Sequence, residues 1–348
     1  MQRVRIQRPG GHQVLRVETV PTPAPGPGQV LVEVAACGVN YADAIIRMGL
    51  YASAKVLHGY PITPGFEVAG RVVAVGPGCS TRACGDRVMA LVLFGGYASH
   101  VVVDESATFP VPPALDLQQA AGLPTVFLTA WYMVHRQVHP EAGDRWLVHS
   151  AAGGVGSALV QLGRLAGCHV TGVVGAAHKR DHARAMGADE VLVGRDRTVW
   201  RQARCIAPDG FNAVFDANGV RTLADSYAHL APTGVLAVYG FHSMLPRSGR
   251  VNWLRLAWDW LRTPRFSPLD MTRSNRSVVA ANLSFLQAHA DRLSRGMAWL
   301  LERFADGRLQ PLPVEAFPLR EVAAAHRRIE SGQTLGKLVL VPEREPSH

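Results

Sequence analysis

The run Ser150-Ala151-Ala152-Gly153-Gly154-Val155-Gly156 restricts the chemistry of this chain more than any other segment. Read as A-x-G-x-x-G, it is a dinucleotide fingerprint with alanine in place of the first glycine. The turn Ala152-Gly153-Gly154-Val155 has to bring the backbone close to a pyrophosphate. Gly156 has to let the following helix pack tightly on the strand before it. The N-terminus of that helix then offers free N–H groups and a positive partial charge to the phosphates. A glycine-rich run alone is weak evidence. Here Trp146 to His149 reads as a strand before it, Gly156 to Ala166 as a helix after it, and His169 to Val174 as a second strand. That is the context the fingerprint requires.

The end of the second strand chooses between dinucleotides. An NAD enzyme usually places Asp or Glu there to accept the ribose hydroxyls. The segment Val173-Val174-Gly175-Ala176-Ala177-His178-Lys179-Arg180 has no acid before Asp181. Lys179 and Arg180 offer positive charge to a 2′-phosphate, with Lys binding as a point charge. The predicted cofactor is therefore NADPH, with Gly175 and Lys179 among the residues that hold it. The alternative is that Lys179 and Arg180 form a solvated helix face.

Other chemistry-bearing residues carry less. His135 and His139 have the spacing of a ligand pair on a helix, but no third ligand lies nearby in sequence, so they read as surface histidines. The five cysteines are an odd number without a C-x-x-C pair, which argues against a disulfide framework and fits a reducing cytosol. The net charge of +9 suits a phosphorylated cofactor, but the basic residues are scattered, so no nucleic-acid partner is expected. The sequence has no apolar run long enough to span a membrane and no secretory signal, so a cytoplasmic protein is expected.

The elements that position these residues fall into two styles. Residues 1 to about 118 read as short strands punctuated by Gly and Pro, including Val30 to Ala36, Phe66 to Val75, Arg87 to Leu93 and Tyr97 to Val103. Gln118 to Val138 has helical spacing. From about 145 strands and helices alternate, which signals a parallel sheet covered by helices. Residues 243–276 are basic and Trp-rich and break the alternation; strand-like Val278 to Leu286, the amphipathic helix Arg292 to Ala305 and the strand Lys337 to Val341 follow. The last stretch returns to the style of the first, so the predicted fold is α/β, a β-rich domain with a nucleotide-binding domain inserted into it.

With these elements in place, the chain resembles the medium-chain dehydrogenase/reductase superfamily, and within it the zinc-free quinone oxidoreductases. The resemblance rests on residues 37–43 (CGVNYAD), 64–70 (PGFEVAG), 85–88 (GDRV), 95–98 (GGYA), 151–156 (AAGGVG) and 336–340 (GKLVL). Residues 267–286 (SPLDMTRSNRSVVAANLSFL) further resemble the vesicle amine transport branch, some of whose members are membrane-associated. The resemblance implies a GroES-like catalytic domain at 1–118 and 288–348, a Rossmann domain at 119–287, a cleft between them, and a homodimer through the Rossmann sheets. Where the zinc enzymes of the superfamily have Cys and His, this chain has Asn40 and Phe66, and Phe66 has no lone pair to give. No metal is expected.

Without a Lewis acid, the feasible reaction is hydride delivery to an already conjugated acceptor, a quinone or an α,β-unsaturated carbonyl, whose enolate oxygen needs only one or two hydrogen-bond donors. By family position the catalytic candidates are Asn40, Tyr41, Asp43 and Tyr51, with Asn40 and Tyr51 as donors and Asp43 more a holder of a loop than a participant. Thr129 is implied at the nicotinamide with Tyr239, Gly240 and Phe241 on its far side, and Asn218 joins the cofactor set. Gly194 stands where many NADPH-dependent relatives have Tyr, and Arg195 is the substitute implied for the 2′-phosphate. The partner is a small hydrophobic carbonyl or quinone. The alternatives are an enoyl reductase dedicated to one biosynthetic intermediate, or a non-catalytic, membrane-associated transport accessory of the same fold.

The segment Trp253 to Arg262 (WLRLAWDWLR) puts Arg255, Asp259 and Arg262 on one helical face and three indoles on the rest. Apolar faces at this spacing are usually buried, so packing on the protein's own core or on a dimer partner is expected first. A flap over the acceptor pocket comes second and an interfacial helix on a membrane third.

Overall fold

The alternating run from Gln29 to Val39 forms the longest strand of the first unit, the spine of a seven-stranded sheet. On one side of it lie Lys337–Val341 and then Val314–Pro318; on the other lie Glu67–Val75, Arg87–Leu91 and Thr108–Pro110, while His100–Asp104 also pairs with the spine. All pairings are antiparallel except that of Val314–Pro318 with Lys337–Val341. Val30, Val32, Val34, Val68, Val72, Leu338 and Leu340 fill the interior. In this computed structural model the described residues are 1–194, 196–244, 251–286 and 289–343. They divide into two compact units, Met1–Thr125 with Leu283 onward, and Val126 to Asn282. Residues 119–125 stay with the first unit, because the helix Leu117–Ala121 packs on the strands Gln29–Val39 and Glu67–Val75.

The second unit is a six-stranded, wholly parallel sheet. Its order is Glu190–Val193, His169–Val174, Arg145–His149, Phe211–Asp216, Leu230–Val238, Ser277–Ala280. The chain starts in the middle, runs outward one way, then returns to run outward the other. This is the doubly wound Rossmann order, whose reversal point lies at the strand Arg145–His149.

Several expectations need correction. The single helix expected over 118–138 is three segments, Leu117–Ala121, Pro124–Met133 and a π-helical turn at Val134–Val138. That turn undoes the histidine spacing: His139 is a left-handed cap at φ 54°, and His135 is half-buried against Trp131. The strand expected over 278–286 is only Ser277–Ala280, followed by a 3₁₀ turn at Leu283–Phe285. The helix Trp253–Arg262 forms with Asn252 as its cap, but it buries none of its residues. Trp253, Trp258 and Trp260 are 66%, 60% and 65% exposed. Packing on the chain's own core is therefore overturned.

Candidate active site

Strand register brings distant residues of the first unit together. Leu338 pairs with Val39 and Val339 with Gly38, so Lys337 stands beside Asn40. On the other flank Val68 pairs with Cys37, which sets Glu67 beside Gly38. The Asn40 amide is held at both ends. Its Nδ2 donates to Glu67 Oε1 at 2.8 Å, and its Oδ1 accepts from Lys337 Nζ at 2.5 Å. Lys337 Nζ also lies 2.7 Å from Glu67 Oε1, and Glu67 Oε2 accepts from the Thr125 N–H at 2.7 Å. Glu67 and Lys337 are buried, so the charges face each other rather than water. Gly38 makes this possible: a Cβ there would stand 2.4 Å from Glu67 Oε1 and 2.5 Å from the Ala121 carbonyl. The donor role expected of Asn40 narrows to one remaining N–H.

Asn40 also ends the strand and caps the helix Tyr41–Arg47. Asp43, three residues on, reaches back: its Oδ2 accepts from the Asn40 backbone N–H at 2.8 Å and from the Tyr97 hydroxyl at 2.9 Å. Its Oδ1 accepts from the Gly65 N–H at 3.0 Å. Asp43 is fully buried and joins the helix start to the turn before Phe66. Burial outweighs these three bonds and pushes its carboxyl up to about 7. Beyond Tyr97 stands His326, whose imidazole burial and the nearby Arg47 hold down at about 3. Tyr41 opens the helix and is half-buried. Tyr51 caps the short helix Ala52–Leu57; its hydroxyl shares a 2.7 Å hydrogen bond with Ser284 Oγ, and its ring meets Phe66 edge-on at 5.8 Å. Phe66 in turn packs on Phe94 at 5.6 Å.

A zinc ion does not fit this set. The Phe66 position offers a ring, and both ends of the Asn40 amide are engaged. Among the described residues no group of three or more His, Cys, Asp or Glu side chains is placed to hold a metal.

In the second unit most of the candidate cofactor residues, Thr129 and Arg195 apart, lie at the C-terminal ends of the parallel strands, where open α/β sheets bind ligands. The strand Arg145–His149 ends in a tight turn with Ser150 at φ 55°, and the helix Gly154–Leu165 begins without a side-chain cap on its first turn. Its leading N–H groups lack the internal acceptors that later turns have, as an anion site needs. A Cβ on Gly156 would stand 2.2 Å from the Ser150 carbonyl, so only glycine allows this turn. Ala152 is buried beneath it, while Gly153, Gly154 and Val155 remain partly exposed. Asn218 is fixed on the next strand end: its N–H donates to Asp216 Oδ1 at 2.7 Å, and its Oδ1 accepts from Ser150 Oγ at 3.3 Å. Tyr239 donates to the His149 carbonyl at 3.4 Å, and burial raises its phenol. Gly240 follows, and Phe241 lies against Gly219, 44% exposed.

Gly175 is exposed at the end of the strand His169–Val174. Lys179 closes the 3₁₀ turn after it and is 9% exposed, so it is not part of a solvated helix face. Gly194 has φ 144°, a conformation that L side chains rarely adopt, which accounts for the missing tyrosine. Arg195 lies outside the described residues. Thr129 sits in the helix Pro124–Met133, half-buried.

Sequence reasoning missed Glu67, Tyr97, Ser284 and Lys337 as site residues. A signal existed for two of them, since Glu67 and Lys337 each open a strand in which apolar residues predominate, where a charge is costly unless paired.

Comparison with known proteins bears on the whole chain. Residues 26–113 match the family described as alcohol dehydrogenase GroES-like domain, and residues 186–340 that described as zinc-binding dehydrogenase. The chain is 34% identical to the rat synaptic vesicle membrane protein VAT-1 homolog, over 97% of this chain and 83% of the relative. It is 32% identical to a 2-haloacrylate reductase of a Burkholderia species, over 97% and 98%. The crystal structure of Escherichia coli quinone oxidoreductase complexed with NADPH superimposes with a TM-score of 0.84 at 26% identity, covering 98% of this chain and all of that one.

Proposed function

The chain belongs to the medium-chain dehydrogenase/reductase superfamily, among its quinone oxidoreductase-like members, and from that premise we propose a zinc-independent, NADPH-dependent reductase of quinones or α,β-unsaturated carbonyls. When bound, the cofactor supplies the hydride. The protein supplies position and charge. The turn 150–156 and the uncapped helix start receive the pyrophosphate, Gly156 keeps that turn tight, and Lys179 faces the 2′-phosphate. The free N–H of Asn40 and the Tyr51 hydroxyl donate to the acceptor oxygen as negative charge develops on it. Asp43, bonded to the Asn40 backbone, Tyr97 and Gly65, holds the donor-bearing segment in place.

The observation that carries this reading is the pair Asn40 and Phe66: an amide with one N–H left over and a ring stand where a zinc enzyme would keep its metal ligands. The test is oxidation of NADPH, with NADH alongside, against quinones, alkenals and enones in the presence of a chelator. Full activity is expected with less than about one tenth of a zinc per chain. Stoichiometric zinc, lost together with activity, overturns zinc independence. The protein is proposed to act in the cytoplasm as a homodimer, which light scattering checks.

One observation favours a second reading. The helix Trp253–Arg262 exposes three indoles and two leucines, with Arg255 and Arg262 beside them. Trp and Arg suit the headgroup zone of an anionic bilayer. No helix among the described residues is long and apolar enough to cross a membrane, so such an association would lie on the surface. Flotation with phosphatidylserine vesicles tests it: no binding removes the membrane role, and binding lost in Trp258→Ala supports it.

A further inference from the structure

The Asn40 amide can stand in two orientations that differ by exchanging its oxygen and nitrogen, and only one of them is useful to a developing oxyanion. The two buried neighbours are chemically opposite. Lys337 is an ammonium that can only donate, and Glu67 is a carboxylate that accepts. They lie 2.7 Å apart and grip the amide as a matched pair, one at its oxygen and one at its nitrogen. Exchange of the amide ends would set N–H against ammonium and C=O against carboxylate, two repulsive contacts in a buried, low-dielectric place. The pair is itself fixed. Glu67 is tied to the Thr125 N–H, Gly38 leaves it only just enough room, and a Cβ on Gly122 would stand 2.6 Å from Lys337 Cγ.

We propose that Lys337 and Glu67 are positioning residues that lock the orientation of the Asn40 side chain, so that its free N–H, and never its carbonyl, is presented to the acceptor oxygen. The inference rests on the donor role given to Asn40 above. Neither charge touches the acceptor in this assignment. Their action passes through the amide, whose carbonyl the ammonium polarises so that the remaining N–H becomes a stronger donor. Without the pair the amide samples both orientations, and the reversed one offers a lone pair where the oxyanion needs a proton.

The test is a mutant cycle with a spectroscopic arm. Lys337→Met alone leaves Glu67 buried and unpaired, and so lowers stability. Lys337→Met/Glu67→Gln balances the charge, and its melting temperature is expected to recover toward wild type. Its kcat is nevertheless expected to stay about 100-fold low, the range for losing one oxyanion donor, with KM for NADPH unchanged. Asn40→Ala is expected to show a similar loss, and Asn40→Ala/Lys337→Met no further loss of kcat, because the two act as one. Wild-type kcat in the charge-balanced variant, additive losses in the cycle, or an unaltered kcat in Asn40→Ala overturns the proposal. In ¹⁵N-asparagine-labelled protein without cofactor, the Asn40 side-chain N–H pair, assigned by its loss in Asn40→Ala, is expected to be widely split and slow to exchange with solvent. In the charge-balanced variant it is expected to collapse toward the position of a free amide. An unchanged signal overturns the lock. If the wild type reduces no quinone or enone, the proposed function fails, and the amide signal still decides the lock.

Discussion

The candidate sites of the two units are built from different materials. The second unit makes its site from backbone: a turn, an uncapped helix start and a glycine that leaves no room for a Cβ. The first unit makes its site from buried side chains, with Asn40, Glu67 and Lys337 in one network and Asp43, Tyr97 and His326 in another. A further buried pair, Arg47 with Glu330 at 2.7 Å, ties the helix Tyr41–Arg47 to the helix Val322–Glu330. A backbone site is therefore sensitive to added atoms, and a side-chain network to removed charges. The ligands match the materials. A pyrophosphate is the same in every dinucleotide and is served by repeated N–H groups, whereas one oxygen of an acceptor needs one donor in one place.

The largest test of this contrast removes a charge from the first unit. Arg47→Met leaves Glu330 buried with His12 as its remaining ion-pair partner among the described residues, and is expected to lower the stability of that unit by about 3–5 kcal/mol. Urea unfolding followed by circular dichroism measures it, and a loss under about 1 kcal/mol would show that the network is ornamental. Next in size is Lys179→Ala. Loss of a charge-assisted contact of about 1.5–3 kcal/mol raises KM for NADPH by about 10–150-fold and leaves that for NADH nearly unchanged. Equal losses for both cofactors would remove Lys179 from the 2′-phosphate.

Gly156→Ala adds the one carbon that the turn excludes, 2.2 Å from the Ser150 carbonyl. Overpacking of about 1–3 kcal/mol is expected to weaken NADPH and NADH together by about 5–150-fold, read by cofactor fluorescence. A selective loss of one cofactor would mean that the turn is more than a pyrophosphate cradle.

The smallest effect sharpens the comparison through pH. Burial holds His242 of the second unit down at about 4, and lowers His149 and His182 as well. A histidine kept neutral in the fold contributes stability that is complete above about 6.5 and lost as pH falls toward its folded value. His326 of the first unit, at about 3, behaves in the same way. Asp43 runs against it: at about 7 its folded carboxyl holds a proton that the unfolded chain lacks down to about 4, so it gains stability over that window as pH falls. His12 of the first unit is lowered too, by burial and by Arg47, so Asp43 offsets part of the first unit's loss, and the second unit has no such raised carboxyl among its described residues. Between pH 7 and 5 the second unit is expected to lose about 1–2 kcal/mol, followed by the fluorescence of its buried Trp146 and Trp200. His242→Gln should flatten that loss, and an equal loss in both units would erase the distinction.

The same contrast decides what could be read from the sequence. The cofactor turn was legible because its residues are contiguous and the flanking strand and helix have clear periods. So were the split domain and the parallel sheet. The networks of the first unit were not, because Asn40 and Lys337 are 297 residues apart and meet only through strand register. Tyr51 and Asn40 are named by position in a motif, but their partner Ser284 carries no local pattern, and the strand context that marks Glu67 and Lys337 does not say what they face. The helix Trp253–Arg262 shows the opposite limit: its faces were evident from spacing, and spacing does not say what covers them. The helix Ala290–Ala305 has a comparable pattern and buries Leu293, Met297, Leu300 and Phe304.

The placement of Lys337 has a consequence for biogenesis. During synthesis on the ribosome, residues 37–40 emerge long before residues 337–341, and the whole second unit is made in between. Until the late strand arrives, the nascent sheet has an open edge along Cys37–Val39, and Glu67 has no ammonium to face. The inserted unit can complete its own hydrogen bonding while the first waits. A ribosome stalled after residue 282 has emerged but before codon 337 thus holds a chain able to form the turn 150–156 while Asn40 and Glu67 still lack Lys337.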